Sequence, residues 1–125
     1  MLVALMVSGC QNEKDEKYSL SGESASWASN IEVTFSNSGD KEKYFIGGNL
    51  KFKKEYSPPS VKYYLSYPSG EGNGTSEGKE IKIPRGGGTR EASNNNIEKF
   101  AKDITLNVQW EDENGKQFKE KIPLD

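Results

Sequence analysis

The sequence offers few residues that could perform covalent chemistry. Its 125 residues include no histidine and one cysteine, Cys10. A nucleophilic serine would therefore lack a histidine base, and histidine metal sites and an internal disulfide are both excluded. Carboxylates are abundant, but no spacing among them suggests a metal site or a paired acid and base. We expect a protein that is not an enzyme and that uses no metal and no cofactor.

The two arginines of the chain, Arg85 and Arg90, flank a run of three glycines at 86–88. Glycines expose backbone amides, so this segment could form an anion-binding nest with a guanidinium at each end. It lacks the Gly-Lys-Ser/Thr ending of a phosphate-binding P-loop. The alternative interpretation is a flexible loop that its charges keep soluble.

Four tyrosines lie close together in the sequence, at 56, 63, 64 and 67. If Tyr63 and Tyr67 face the core, strand alternation turns Tyr64 outward. There it could join Tyr56 in a surface that stacks on a sugar ring or on a partner protein. The alternative is that these tyrosines are present because tyrosine is favoured in strands.

Cys10 separates an apolar run from a polar one. Residues 1–9 are uncharged and almost wholly apolar, whereas residues 11–17 are entirely polar. Such a run spans about 14 Å as a helix, roughly half of a bilayer core, which is too short to cross a membrane. It is typical of the end of a signal peptide, and since no Lys or Arg precedes it we expect a truncated one. The alternative is a buried strand in which Cys10 packs as a free thiol.

The segment from Val7 to Cys10 resembles a bacterial lipobox, with an aliphatic residue three positions before the cysteine and two small residues between them. The resemblance implies that the sulfur of Cys10 is diacylated, that residues 1–9 are removed, and that Cys10 begins the mature protein. Two acyl chains anchor a protein stably where one is marginal. We expect residues 10–17 to form a polar tether at the outer face of the cell membrane. The lack of further cysteines favours a Gram-positive cell.

From Tyr18 onward the dominant period is two, which predicts β-strands. Clear alternation covers residues 27–35, 44–54, 61–67 and 104–110, with a short strand at 81–83 that Pro84 ends. The glycine pair at 47–48 predicts a bulge or kink in the second of these strands. Residues 69–78 contain four glycines and no apolar residue, so we expect a mobile loop. Residues 97–102 predict either a helical turn or a crossing between sheets.

The last hairpin is predicted at Asn114 and Gly115, a pair that favours a type I′ turn. Phe118, Glu120 and Ile122 should share one face of the returning strand. The carboxylates at 111–113 beside this turn suit calcium as hard oxygen ligands, but their spacing is not that of an EF-hand, which favours a solvated turn.

These patterns predict one domain, residues 18–125, folded as an immunoglobulin-like antiparallel β-sandwich of six or seven strands, with a small β-barrel as the structural alternative. Lys51, Lys53 and Lys54 suggest an edge strand that charge protects from pairing. The formal charge of −2, with both signs interspersed, argues against a nucleic-acid partner.

The lipobox, the charged spacer, the 18–24 segment before Trp27 and the closing hairpin after Trp110 resemble small surface lipoproteins of the Bacillus type. That resemblance covers nearly the whole chain and implies location and fold, but it carries no activity. We therefore expect a lipid-anchored surface module whose partner is a protein. The alternatives are a module that binds carbohydrate or cell-wall polymer, and a lipoprotein that binds a solute or inhibits a toxin.

Overall fold

The computed structural model describes residues 15–36, 42–68, 70–90 and 96–125. In these ranges the chain forms eight strands and one short helix. Their bounds are β1 Glu16–Glu23, β2 Trp27–Ser36, β3 Lys43–Phe52, β4 Val61–Tyr67, β5 Gly70–Ser76, β6 Glu80–Thr89, α1 Ile97–Lys102, β7 Thr105–Glu111 and β8 Gln117–Ile122.

The strands form two antiparallel sheets, in the orders β1-β2-β3-β6 and β5-β4-β7-β8. The predicted antiparallel β-sandwich is confirmed, and the two sheets do not close into the barrel that was its alternative. The described residues hold eight strands where six or seven were expected. The order differs from that of an immunoglobulin constant domain, in which the second strand pairs with the fifth. Here β2 pairs with β1 and β3.

The strongly alternating strands point their apolar side chains between the sheets, as predicted. In β2 the inward apolar residues are no more than 1% exposed: Trp27, Ile31, Val33 and Phe35. The Trp27 ring lies 4.8 Å from the Phe52 ring and 5.7 Å from the Trp110 ring, centroid to centroid, so it joins the two sheets. Aromatic pairs of this kind add about 0.5–1.5 kcal/mol each beyond the area they bury.

Helix α1 closes one end of the sandwich, which confirms the helical alternative for residues 97–102. The side chain of Asn96 caps it by accepting the backbone N–H of Lys99 at 3.0 Å. Its buried residue Phe100 packs 5.1 Å from the Phe35 ring and 5.4 Å from the Tyr44 ring. The Phe100 ring also lies 6.4 Å from the ring of Tyr67 in β4, so this one side chain contacts both sheets at their end.

The prediction of a mobile loop at 69–78 is wrong, because most of this segment is strand β5. This strand pairs with β4 in continuous register, from Val61 opposite Ser76 to Tyr67 opposite Gly70. Its inward positions are three glycines and Ser76, so no apolar side chain marks it in the sequence. Tyr63 of β4 lies beneath Gly74 instead, where a Cβ would stand 2.3 Å from the tyrosine oxygen. An aromatic ring from the neighbouring strand therefore covers the glycine.

Strand β6 does not end at Pro84 as predicted but continues to Thr89. Its register with β3 shifts between the Ile46–Gly86 pair and the Gly48–Ile83 pair, which confirms an irregularity at the glycine pair 47–48. The extra residue belongs to β6, because three steps there match two steps in β3. Pro84 lies in this bulge, where its lack of an N–H leaves no hydrogen bond to β3 unmade.

The interpretation of Lys51, Lys53 and Lys54 as protection of an edge strand is wrong. Strand β3 lies between β2 and β6 and is paired on both sides. The Lys53 ammonium instead bonds the Glu23 carboxylate at 2.8 Å and the Ser24 carbonyl at 2.9 Å, beside the β1–β2 turn.

The hairpin predicted at Asn114 and Gly115 is confirmed, with a different turn from the type I′ expected. The Gly115 N–H bonds the Asp112 carbonyl at 3.0 Å, so the turn spans residues 112–115 and does not centre on Asn114 and Gly115. Gly115 follows this turn in the left-handed region, with a φ of +83°. Oδ1 of Asp112 accepts the N–H groups of Asn114 and Lys116, at 2.8 and 2.9 Å. The carboxylate that was considered for calcium thus holds the turn.

Candidate functional site

The segment from Arg85 to Thr89 is extended strand, so it forms neither the predicted anion nest nor the alternative flexible loop. Its glycines pair with β3, Gly86 with Ile46, Gly87 with Phe45 and Gly88 with Tyr44. None of these glycines has a positive φ, although an anion nest depends on a left-handed residue. A Cβ on Gly87 would stand 1.9 Å from the Tyr44 carbonyl oxygen, so close strand approach explains that glycine.

The guanidinium groups of Arg85 and Arg90 lie on different faces of the first sheet. Arg85 stacks over the outward ring of Phe45, 4.3 Å from its centroid. Arg90 is 5% exposed, lies 3.9 Å from the centroid of the inward Phe35 ring, and donates to the Lys43 carbonyl. The two arginines predicted to bind one anion are therefore separate packing residues.

Tyr56 and Tyr64 also do not form one surface. The Tyr56 ring packs 5.0 Å from the ring of the buried Phe52, and its hydroxyl accepts the indole N–H of Trp110 at 3.0 Å. Tyr56 therefore packs against the edge of the hydrophobic core. Tyr64 turns outward, as the alternation predicted, and is 39% exposed. It is the exposed large hydrophobic side chain in the part of the chain that the structure describes.

Cys10 and the whole lipobox lie outside the described residues, as do residues 11–14 of the tether. In the ranges that are described, no helix is both long enough and apolar enough to cross a membrane.

One side of the sandwich is closed by contacts between the two sheets. The backbone of Ser21 in β1 exchanges two hydrogen bonds with Asp125, which follows β8, at 2.9 and 3.2 Å. The Glu120 carboxylate of β8 accepts the Ser24 hydroxyl at 2.6 Å, the Ser26 hydroxyl at 2.8 Å and the Ser26 N–H at 3.0 Å. The β1–β2 turn is thus tied to the second sheet.

Glu120 faces inward with Phe118 and Ile122, as predicted, although the hydrogen bonds it makes there could not be read from the sequence. Burial acts to raise the pKa of Glu120, but the hydrogen bonds from Ser24 and Ser26 and the nearby charge of Lys54 outweigh it and leave that pKa lowered. This carboxylate is therefore ionised at neutral pH and committed to structural hydrogen bonds, which makes it a poor general acid.

The described residues leave the opposite side of the sandwich open. There the edge strands β5 and β6 border a cleft of about 240 Å³ between the sheets. Its walls include the apolar side chains of Ile46, Leu65 and Ile83, together with Tyr63 and Tyr67. Burial raises the pKa of Tyr63, so its hydroxyl stays neutral at physiological pH. Arg85 of β6 also lines it, so the cleft is a largely apolar opening along two strand edges with one cation in its lining.

Strand β5 forms the rim of this cleft and is the site that reasoning from the sequence missed. Gly72 and Asn73 line the opening directly. A signal was present in the glycines at 70, 72 and 74, which alternate with Glu71, Asn73 and Thr75. Period two can mark a strand even where the inward residues have no side chain.

Comparisons of the chain with family models, with curated proteins and with solved structures found no match.

Proposed function

We propose that this chain is a non-catalytic, lipid-anchored cell-surface module that binds an extended segment of a partner protein by strand addition along β5. The observation that carries the proposal is an unprotected strand edge beside an apolar cleft. Strand addition combines main-chain hydrogen bonds along an edge with pockets for alternate side chains. Strand β5 and the cleft beside it offer both features.

Comparison of the four edge strands favours β5. Natural edges are protected by lysine, proline, bulges or a covering segment. In the described chain, β1 is partly covered by the C-terminal residues, β6 contains Pro84 and a bulge, and β8 contains Lys119 and Lys121. Strand β5 contains none of these, and its one charged residue is Glu71.

The shape of the cleft favours a peptide over a solute. Pockets that enclose small ligands usually have volumes of about 300–1,000 Å³. The cleft measures about 240 Å³, which suits a few side chains of a guest strand. A larger depression of about 630 Å³ lies over β3 and β6, but it is open to solvent between Lys51, Glu80 and Lys82.

The occupant is a segment of another protein, because the tether of this chain lacks the required side chains. An inserted strand needs apolar residues at alternate positions, and residues 11–17 contain none. A partner segment with small β-branched residues at alternate positions would place them against Ile46, Leu65 and Ile83.

Peptide binding to wild type and to Gly72→Val tests this proposal. A Cβ on Gly72 meets only the Tyr67 hydroxyl, at an ordinary 3.7 Å, so valine fits there and its branches enter the cleft. Thr75→Val is the matched control, because it adds the same side chain on the exposed outer face of β5. The probes are fluorescent seven-residue peptides that alternate Val or Ile with Ser, Thr or Lys.

Wild type and Thr75→Val should bind such peptides equally, and Gly72→Val should weaken binding by about tenfold or more. N-methylation of the peptide at alternate residues should abolish binding, because it removes the donors to β5. Equal binding by Gly72→Val, binding of the N-methylated peptides, or no binding by any peptide would each contradict the proposal. So would a dimer of the chain that Gly72→Val dissociates, since a second copy would then be the occupant.

The membrane anchor is a separate part of the proposal and rests on the Val7–Cys10 motif alone. Mass spectrometry of the protein from its native membrane, expressed from its genomic locus, tests it directly. A diacylglyceryl adduct on an N-terminal Cys10 is expected. An unmodified chain that retains residues 1–9 would contradict the anchor and the location at the outer face of the cell membrane.

A further inference from the structure

The outer surface of the second sheet, which we call the tyrosine face, is polar and centred on one aromatic ring. Tyr64 stands opposite Asn73 of β5 on one side and Asn107 of β7 on the other. Asn107 in turn stands opposite Lys121 of β8. Side chains opposite one another in paired strands lie about 4.5–5.5 Å apart at Cβ, so the Tyr64 ring has a carboxamide on each side.

The residues that stand opposite one another across the strands form rows, and the row next to that of Tyr64 also contains carboxamide and lysine side chains. Lys62 stands opposite Gln109, and Gln109 stands opposite Lys119. These two rows contain three lysines and no carboxylate. The carboxylates of this surface, Glu71 and Glu111, lie in the rows that flank these two on either side.

The outer surface of the first sheet differs in its charge pattern. There Lys51 stands opposite Glu80, and Glu32 lies on the same face. Opposite charges are thus interspersed, as on an ordinary solvated surface. The two central rows of the tyrosine face differ from this pattern, because their three lysines surround an exposed aromatic ring and three carboxamides.

We propose that the tyrosine face binds an anionic polysaccharide. The C–H groups on the apolar face of a sugar ring pack against the ring of Tyr64, which is 39% exposed. The carboxamides of Asn73, Asn107 and Gln109 supply donors and acceptors for sugar hydroxyls. Lys62 and Lys121 supply point charges for the acidic groups of the chain.

The extent of the surface favours a polymer over a single sugar. The row from β5 to β8 crosses four strands, which are spaced about 4.8 Å apart and so span roughly 14 Å. A single-stranded nucleic acid also combines rings with negative charge, but it is usually bound by several aromatic residues along a basic groove. The tyrosine face has one aromatic residue, and the chain carries a net charge of −2.

Binding of polygalacturonate, a polymer of acidic sugars, to the full chain tests the proposal. Neutral dextran and a single-stranded oligonucleotide serve as comparison probes. The variants are Tyr64→Ala and the double substitution Lys62→Gln with Lys121→Gln. The control, Lys51→Gln with Lys82→Gln, removes the same charge from the outer face of the first sheet. Since all these side chains are exposed, thermal unfolding should stay near that of wild type and report that each variant is folded.

Affinity electrophoresis or calorimetry should show that Tyr64→Ala weakens polygalacturonate binding by about tenfold. The tyrosine-face lysine variant should weaken binding and reduce its salt dependence, whereas the control pair should bind as wild type does. Equal binding by Tyr64→Ala, equal binding of dextran, tighter binding of the oligonucleotide, or no binding of polygalacturonate would each overturn the proposal. Peptide binding along β5 is measured independently of these outcomes, because Gly72 faces the cleft and Tyr64 faces away from it.

Discussion

Replacement of Glu120 by glutamine should destabilise the fold more than its position near the end of an edge strand suggests. The carboxylate accepts three hydrogen bonds from Ser24 and Ser26, and Ser26 is 4% exposed. Glutamine retains one oxygen acceptor and places an amide where the second oxygen accepts a hydroxyl. At least one bond to a charged acceptor is lost, and such bonds contribute about 1.5–3 kcal/mol each.

We therefore expect Glu120→Gln to lower the free energy of unfolding by about 2 kcal/mol at neutral pH. For a domain of this size that corresponds to a fall in Tm of about 8 °C. Thermal unfolding followed by tryptophan fluorescence measures it. Glu23→Gln is the matched control, because Glu23 makes an exposed ion pair with Lys53 at 2.8 Å and should change Tm little.

The effect of Glu120→Gln on stability should depend on pH, and the sign of that dependence follows from the lowered pKa of Glu120. A carboxyl group with a folded-state pKa below its unfolded value stabilises the fold above the unfolded pKa, and this stabilisation is lost as the pH falls through the folded pKa. The Tm difference between wild type and Glu120→Gln should be constant near neutrality and shrink in acid. A variant whose Tm matches that of Glu23→Gln, or a difference that grows in acid, would refute the role assigned to this carboxylate.

Two further predictions test the packing of the sandwich. Gly87→Ala should destabilise by about 2 kcal/mol, because its Cβ would meet the Tyr44 carbonyl, whereas Gly86→Ala, whose Cβ meets nothing within 4 Å, should unfold near wild type. Similar urea midpoints for the two variants would contradict the strand pairing of this segment. Tyr56→Phe should cost about 1 kcal/mol, because it leaves the indole N–H of the largely buried Trp110 without its acceptor. An unchanged urea midpoint for Tyr56→Phe would show that this hydrogen bond contributes little.

The sequence predicted those strands in which large apolar side chains alternate with polar ones and are buried. Alternating large apolar residues identify β2, β4 and β7, and their inward faces were correctly assigned, from Trp27 in β2 to Trp110 in β7. The outward direction of Tyr64 followed from the same alternation. A period of two is informative wherever the inward residue must exclude water.

The parts that were missed are those in which glycine or proline occupies a strand. Strand β5 has glycine at three of its inward positions and serine at the fourth, and the rings that fill the space belong to β4. The residues of β5 themselves therefore give no apolar pattern. Strand β6 continues past Pro84 because a bulge accommodates the missing N–H. The hydrogen bonds of Glu120 depend on residues 94 and 96 positions away, which no local pattern reveals.

Amide hydrogen exchange along β5 tests the central claim most directly. If a partner segment adds to this edge, saturating peptide should slow exchange in residues 70–76 and leave exchange in the opposite edge strands β1 and β8 unchanged. The same peptide should give no protection in Gly72→Val, while Thr75→Val should behave as wild type. Protection confined to other strands, or peptide binding that leaves exchange in β5 unchanged, would contradict strand addition as the function of this module.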